Sequence, residues 1–280
     1  MFMNLQLKNA WKHFLLIIIG LVMLYPVLWM VSSSFKPNEM IFNEVGLWPG
    51  QWTLDNYISG LAGVRDNPFY KYIINSLIVC LSAVVGSTIS TSMAGYAFAR
   101  LDFRFKNIAF AIMLLTIILP VHVKLIPQYI MFNNLNWIGT FLPVIVPKWF
   151  AVEGFFIFLI VQFIRGLPKE LDEAATVDGC KSVQIYLRII MPLTVPALVT
   201  TAIYTFLWTW DDFLSQLIYF SKMQLYTVPL GLRLFLDSTS QSNYGAMFAM
   251  SVVSLLPCFI IFITCQKYFV EGISTTGIKG

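Results

Sequence analysis

Four stretches of this chain, each longer than twenty residues, contain no Asp, Glu, Lys or Arg: 14–35, 72–99, 125–147 and 245–266. Two more, 107–123 and 194–210, approach that length. A membrane-crossing helix needs about 18–20 apolar residues, because only a helix or a closed barrel satisfies its own backbone in hydrocarbon. Apolar windows that recur to the C-terminus exclude a soluble enzyme behind one export signal. Charged residues make up 11% of the chain, against roughly 25% in soluble domains, which also excludes a disordered chain or a nucleic-acid module. The expected fold is all-α: a polytopic membrane helix bundle with six transmembrane helices. They run over about 14–35, 73–98, 107–122, 141–164, 194–221 and 245–267. Residues 1–280 are read as one transmembrane domain, with its core at 72–267.

Orientation follows from the basic residues. Lys8, Lys12 and His13 precede the first helix, and no small-x-small cleavage site closes it, since Tyr25-Pro26 and Trp29 interrupt. It is therefore read as uncleaved. Eleven Lys and Arg, among them Arg100, Arg104, Arg165, Lys169 and Arg188, fall on the side of the N-terminus, and six fall on the other. Positive charge stays inside, so both termini are expected in the cytoplasm. The net charge of +4 suits such basic edges and implies no nucleic-acid partner. The outer segment 36–71 carries Trp48, Trp52 and Tyr57 and reads as a connection hugging the membrane interface. Cys80, Cys180, Cys258 and Cys265 lack disulfide or metal-ligand spacing, so no metal site is expected.

The spans hold polar residues of two kinds. The second carries Ser82, Gly86, Ser87, Thr88, Ser90, Thr91, Ser92 and Gly95, small and hydroxylated residues that allow close helix packing, and it is expected at the centre of the bundle. Pro120 and Pro127 point to a broken or re-entrant segment leading to Gly139, or to a surface loop. Lys148 and Glu153 in the fourth span and Asp211 and Asp212 in the fifth cost several kcal/mol, roughly 2.5–3.5 each, if they face lipid. On continuous helices Lys148 and Asp211 both lie about 25 Å above the cytoplasmic edge, which allows Lys148 to pair with Asp211 or Asp212. These residues, with Trp208 and Trp210, form either a structural lock or the polar and aromatic lining of a path through the bundle. Glu153 is the residue expected to face that path.

The cytoplasmic connection 165–193, between the fourth and fifth spans, is the densest polar stretch. Pro168 suits the first position of a helix, and Glu170, Asp172 and Glu173 suit its positive end. Gly179 supplies a left-handed C′ residue, and Pro192 is expected to end a second short helix. Leu167, Leu171, Ala174 and Ala175 form a shallow stripe suited to another protein's groove.

Glu173-Ala174-Ala175, Gly179 six residues after Glu173, and Ile189-x-Met191-Pro192 together resemble the EAA signature of ABC-importer permeases. Asn75 to Val79, Ala94 to Arg100, Phe206 to Leu214 with its Trp208, Trp210, Asp211 and Asp212, and the tail from Gln266 to Gly280 resemble the binding-protein-dependent sugar importers of the maltose-permease type. Asp211 stands where that family more often has Asn, and Met191 where it has Leu. The resemblance implies a permease subunit in a bacterial cytoplasmic (inner) membrane, surrounded by lipid bilayer. Its partners would be a second homologous permease, two copies of an ATPase subunit and an extracytoplasmic solute-binding protein. Glu173, Ala174, Ala175, Asp178, Gly179 and Pro192 would belong to the coupling helix that docks on the ATPase. No catalytic residue is expected, and ATP and Mg would be bound by the partner, since no G-x-x-x-x-G-K-[ST] loop occurs. The cargo would be a carbohydrate, most simply an oligosaccharide. A non-sugar solute such as glycerol phosphate or a polyamine is the alternative. An ion-coupled secondary transporter fits less well, because those usually show internal repeats.

Overall fold

A hydrophobic residue at nearly every position leaves a helix no polar face, so such a helix must meet lipid or protein all round. The structure, a computed structural model, describes residues 2–44, 46–236 and 242–277. Among them regular structure is helical, and the only extended pairing is an isolated bridge between Val64 and Asn67. The helices are α1 (Phe2–Ser33), α2 (Asp55–Ala62), α3 (Phe69–Arg100), α4 (Lys106–Ile118), α5 (Val121–Asn134), α6 (Leu142–Ile145) and α7 (Gly154–Arg165). They continue with α8 (Glu170–Val177), α9 (Ser182–Leu193), α10 (Val195–Trp210), α11 (Leu214–Tyr219), α12 (Val228–Arg233) and α13 (Tyr244–Gly277). Four stretches are long and apolar enough to cross a bilayer, or six if the bent pairs α4–α5 and α9–α10 each count as one span.

The chain divides into two compact units. One holds Met1–Tyr70 and Gly231–Leu256, the other Lys71–Leu230 and Pro257–Gly280. In the first, none of the apolar window of α1 is buried. Trp29 meets Phe248 edge-on at 5.4 Å. The segment after α1 folds back on itself around a fully buried Lys36, whose Nζ donates to the carbonyls of Glu44 and Gly46, each at 2.6 Å. Those carbonyls replace the water that a buried ammonium loses.

In the second unit α3 packs closely where its small residues lie. Ser76, Ser87, Thr91 and Ser92 are buried along it. A methyl group on Gly86 would stand 2.5 Å from the indole of Trp149, and one on Gly95 2.5 Å from Ile160, so both glycines allow contacts that alanine would block. The expected break after the third span is present: α4 and α5 meet at 106° around Leu119 and Pro120. Gly139, with φ of +78°, closes the segment by donating its N–H to Tyr219 O at 2.8 Å.

Three expectations about helix limits need correction. The fourth span is not one helix: α6 passes into a 3₁₀ turn at Val146–Phe150, Ala151 turns left-handed at φ +52°, and α7 starts at Gly154. The fifth does not run on to 221, because α10 ends at Trp210 and α11 restarts at Leu214. Pro192 does not end its helix; the break comes at Thr194, where α9 and α10 meet at 76°. A proline ring clashes with the carbonyl four residues earlier, here that of Arg188. The wider π-turn at Tyr186–Ile190 immediately before it opens that spacing.

Candidate functional site

The loop between α7 and α9 forms the short helix, glycine turn and second helix expected of it. Its first helix starts at Glu170 rather than Pro168. Glu170, Asp172 and Glu173 occupy the first turn, where the helix dipole favours acids. At the other end Asp178 N–H reaches Ala174 O at 3.0 Å, Gly179 N–H reaches Thr176 O at 3.0 Å and Cys180 N–H reaches Ala175 O at 2.9 Å. Gly179 lies at φ +79°, where an L-residue is strained. Gln184 Oε1 then accepts from Lys181 N–H at 2.8 Å and starts α9.

One face of α8 is fixed to the bundle. Arg100, at the end of α3, pairs through Nε with Asp172 Oδ2 at 2.9 Å, with the two side chains only 6% and 19% exposed. Its Nη2 donates to Leu167 O at 2.9 Å, so one guanidinium holds both the helix and the turn before it. Ala175 is buried in a cluster with Tyr96, Ile160, Ile164, Ile185 and Ile190. Tyr96 donates to Ser182 O at 3.1 Å and its ring lies 5.2 Å from that of Tyr186. The expected outward stripe is corrected in part: Ala175 faces inward with half-buried Leu167, while Leu171 and Ala174 are exposed, as are Glu173, Val177 and Asp178. Arg100 was visible in sequence only as one of the orienting basic residues and as part of the span-two resemblance. Its pairing with Asp172, 72 residues on, has no local signal.

The intramembrane charges do not assemble as expected. Lys148 Nζ pairs with Glu153 Oε1, not with Asp211 or Asp212. Ser87 donates to Glu153 Oε2 at 3.0 Å, Thr205 donates to Ser87 Oγ at 3.3 Å, and Ser90 donates to Lys148 O at 2.9 Å. The pair and these hydroxyls of α3 and α10 brace the irregular backbone between α6 and α7. Gly154 sits where a methyl group would lie 3.0 Å from Met113 O on α4. Asp212 Oδ1 accepts from Ser215 N–H at 3.0 Å and starts α11, whereas Asp211 is exposed. Trp210 is buried against Phe206, with ring centroids 5.4 Å apart. Trp208 stacks on Phe156 at 5.1 Å and leaves 49% of its surface open. Among the described residues no group of His, Cys, Asp and Glu is arranged to hold a metal ion.

Residues 86–275 match the model of the family described as binding-protein-dependent transport system inner membrane component. The chain belongs to that family. The match covers the close-packed part of α3, the α8 loop and α10. Similar proteins match over nearly their whole length. The arabinooligosaccharides transport system permease protein AraQ of Halalkalibacterium halodurans is 34% identical, over 94% of this chain and 93% of its own. The trehalose/maltose transport system permease protein MalG of Thermococcus litoralis is 30% identical, over 98% and 99%. The diacetylchitobiose uptake system permease protein DasC of Streptomyces coelicolor is 28% identical, over 97% and 98%. Among solved structures, a chain of a bacterial ABC transporter that imports the acidic polysaccharide alginate superimposes with a TM-score of 0.83. It covers 94% of this chain and 97% of the other. At 20% identity that likeness is one of fold.

Proposed function

We propose that this inner membrane component is the permease subunit of an ATP-driven importer that moves an oligosaccharide into the cytoplasm by alternating access. Its helices make six spans in a bacterial cytoplasmic membrane, with both termini inside. A second permease, two ATPase subunits and an extracytoplasmic solute-binding protein complete the machine, and ATP and Mg stay with the ATPase. The named relatives carry arabinooligosaccharides, diacetylchitobiose and trehalose or maltose, which supports the sugar reading. A related alginate importer has been crystallised with a pentasaccharide-bound periplasmic protein, which supports the binding-protein partner.

The observation that carries this reading is the two-sided character of α8. One side is fixed to α3 through Arg100, Asp172 and Ala175, and the other is bare. A force applied to the bare side therefore reaches α3 without passing through a flexible joint. Glu173 and Ala174 meet the ATPase, with Glu173 placed for a basic residue there. Ala175, Asp178, Gly179 and Pro192 shape the support behind them. Closure of the ATPase dimer drags α8 inward, and the attached helices switch from inward- to outward-facing as rigid bodies. Lys148 and Glu153 serve as a lock bracing the wall between α6 and α7, while Trp208 and Asp211 offer an exposed ring and carboxylate to the path. Trp210 and Asp212 shape that end of α10.

Reconstitution with the three partners in proteoliposomes should give uptake of a radiolabelled neutral oligosaccharide that requires ATP. Uptake driven by a proton or sodium gradient without the ATPase would replace this reading with a secondary transporter. ATP-driven uptake of glycerol phosphate or a polyamine, with no sugar transported, would overturn the choice of cargo.

A further inference from the structure

Outside the site described above, the segment after α1, the start of α2 and Asn243 enclose a cleft of ≈ 610 Å³. That volume lies within the range of about 300–1,000 Å³ usual for small-molecule sites. Three of its side chains are amides already fixed in place. Asn56 is 5% exposed and donates to Ser34 O at 2.9 Å and Lys36 O at 2.7 Å. Asn38 donates to Ser242 O at 3.1 Å and accepts from Gly245 N–H at 3.2 Å, and Asn243 accepts from Ala246 N–H at 2.9 Å. Trp52 is held between Phe35 at 5.6 Å and Trp48 at 5.5 Å, yet 57% of it is open. Gln51 and the Asp55 carboxylate border the same cleft, both exposed. Among the described residues neither side chain makes a hydrogen bond or ion pair.

We propose that this cleft is a binding subsite for a neutral saccharide. A sugar ring has an apolar C–H face and a rim of hydroxyls that both donate and accept. The indole of Trp52 suits the face, as aromatic rings offer a rigid apolar surface. The Gln51 amide offers a donor and an acceptor to the rim, and the Asp55 carboxylate accepts from two neighbouring hydroxyls. An apolar ligand would find Pro37 as the one aliphatic ring in a lining otherwise made of Trp52 and polar side chains. An anionic one, a uronate chain or a phosphate, would find no Lys, Arg or His in the lining and would meet Asp55. Placement of the cleft on the outer side rests on the six-span importer reading, in which 36–71 is an outer connection. There it is a first contact for sugar leaving its carrier.

The test uses the complete importer in proteoliposomes without the solute-binding protein, titrated with maltotriose, arabinotriose and N,N′-diacetylchitobiose while tryptophan fluorescence is followed. At least one of the three should quench saturably, and a uronate trisaccharide should not. Trp52→Phe, which keeps a ring between Phe35 and Trp48, should abolish the signal. Asp55→Ala should weaken binding about tenfold, the usual loss for a charge-assisted hydrogen bond. If none of the sugars quenches, while the same vesicles supplied with binding protein and ATP take up sugar, the subsite is overturned and the importer reading stands. If sugar quenches through Trp52 but ATP drives no sugar uptake, the subsite stands and the importer reading fails. If both variants impair uptake and binding-protein affinity without any sugar-induced quench, the surface contacts protein instead, and the saccharide assignment is overturned.

Discussion

Gly179 shows how much one backbone angle can demand. It sits at φ +79°, and a methyl group placed on it would meet nothing within 4 Å. Within this chain the need for glycine is therefore conformational rather than steric. A left-handed L-residue costs about 1–2 kcal/mol, and Asn tolerates the region better than most. Gly179→Asn should keep most ATP-dependent uptake, whereas Gly179→Val should lose about tenfold, at equal abundance in the membrane. Equal loss in both would mean that the ATPase surface requires a bare backbone at this turn. Gly179 was legible because a left-handed cap after a short helix is a local property. The Lys148–Glu153 pair was not. Residues five apart on a continuous helix point about 140° away from each other, so a helical reading sends Lys148 across to Asp211. Only the left-handed Ala151 lets the two meet, and Phe150-Ala151-Val152 contains no Gly or Pro to announce it. Asp211 and Asp212 did carry a signal for the end of α10. Acids are unfavourable at a helix C-terminus, and reading the apolar run through to 221 ignored that.

At the scale of elements, α8 depends on its tie to α3. Truncating one member of a buried ion pair costs about 3–5 kcal/mol, because the charge left behind is unpaired. Arg100→Ala removes the ion pair to Asp172 and the hydrogen bond to Leu167 O together. The variant should still reach the membrane and support ATP hydrolysis, but the sugar moved per ATP should fall about tenfold or more, as expected for a loosened transmission element. Arg100→Met combined with Asp172→Leu should recover part of that ratio, since no charge is then stranded. An unchanged ratio in Arg100→Ala would remove this tie from the transmission path. The elements themselves were partly legible: three charge-free windows fell on the long helices α1, α3 and α13, the fourth, 125–147, straddled the gap between α5 and α6, and paired prolines marked the bend between α4 and α5. The inward turn of Ala175 was not, because a four-residue apolar stripe does not say which neighbour it faces.

For the whole molecule, the contacts within the second unit limit how many times the chain crosses the bilayer. Arg100 binds Asp172 and Leu167 O, so the chain from 101 to 166 crosses the membrane an even number of times. In the proposed six-span reading the stretch Leu142–Arg165 makes one crossing, and α4 and α5 together supply the other despite their 106° bend. Neither suffices alone: at 1.5 Å per residue their 13 and 14 residues reach only about 20 Å of a roughly 30 Å core. At the other end of α3, Asn75 Nδ2 donates to Gln224 O at 2.8 Å and Tyr226 O at 2.9 Å, and Ser76 Oγ accepts from Val228 N–H at 2.9 Å. Because α3 itself crosses, 224–228 lie opposite Asp172, and the chain between them crosses an odd number of times, which the bent pair α9–α10 provides once. In the reading proposed above, α1 before and α13 after complete six crossings, with both termini on the side of Asp172. On that reading the positive-inside rule puts that side in the cytoplasm. In a background without its four native cysteines, Val177→Cys and Lys222→Cys should react with a membrane-impermeant maleimide from opposite faces. Val177 is 87% exposed and Lys222 is exposed, so access is not limited by burial. In intact spheroplasts only Lys222→Cys should be labelled, and in inverted vesicles only Val177→Cys. Labelling of both from one face would mean that α4–α5 or α9–α10 turns back within the bilayer, and the six-span count would fall.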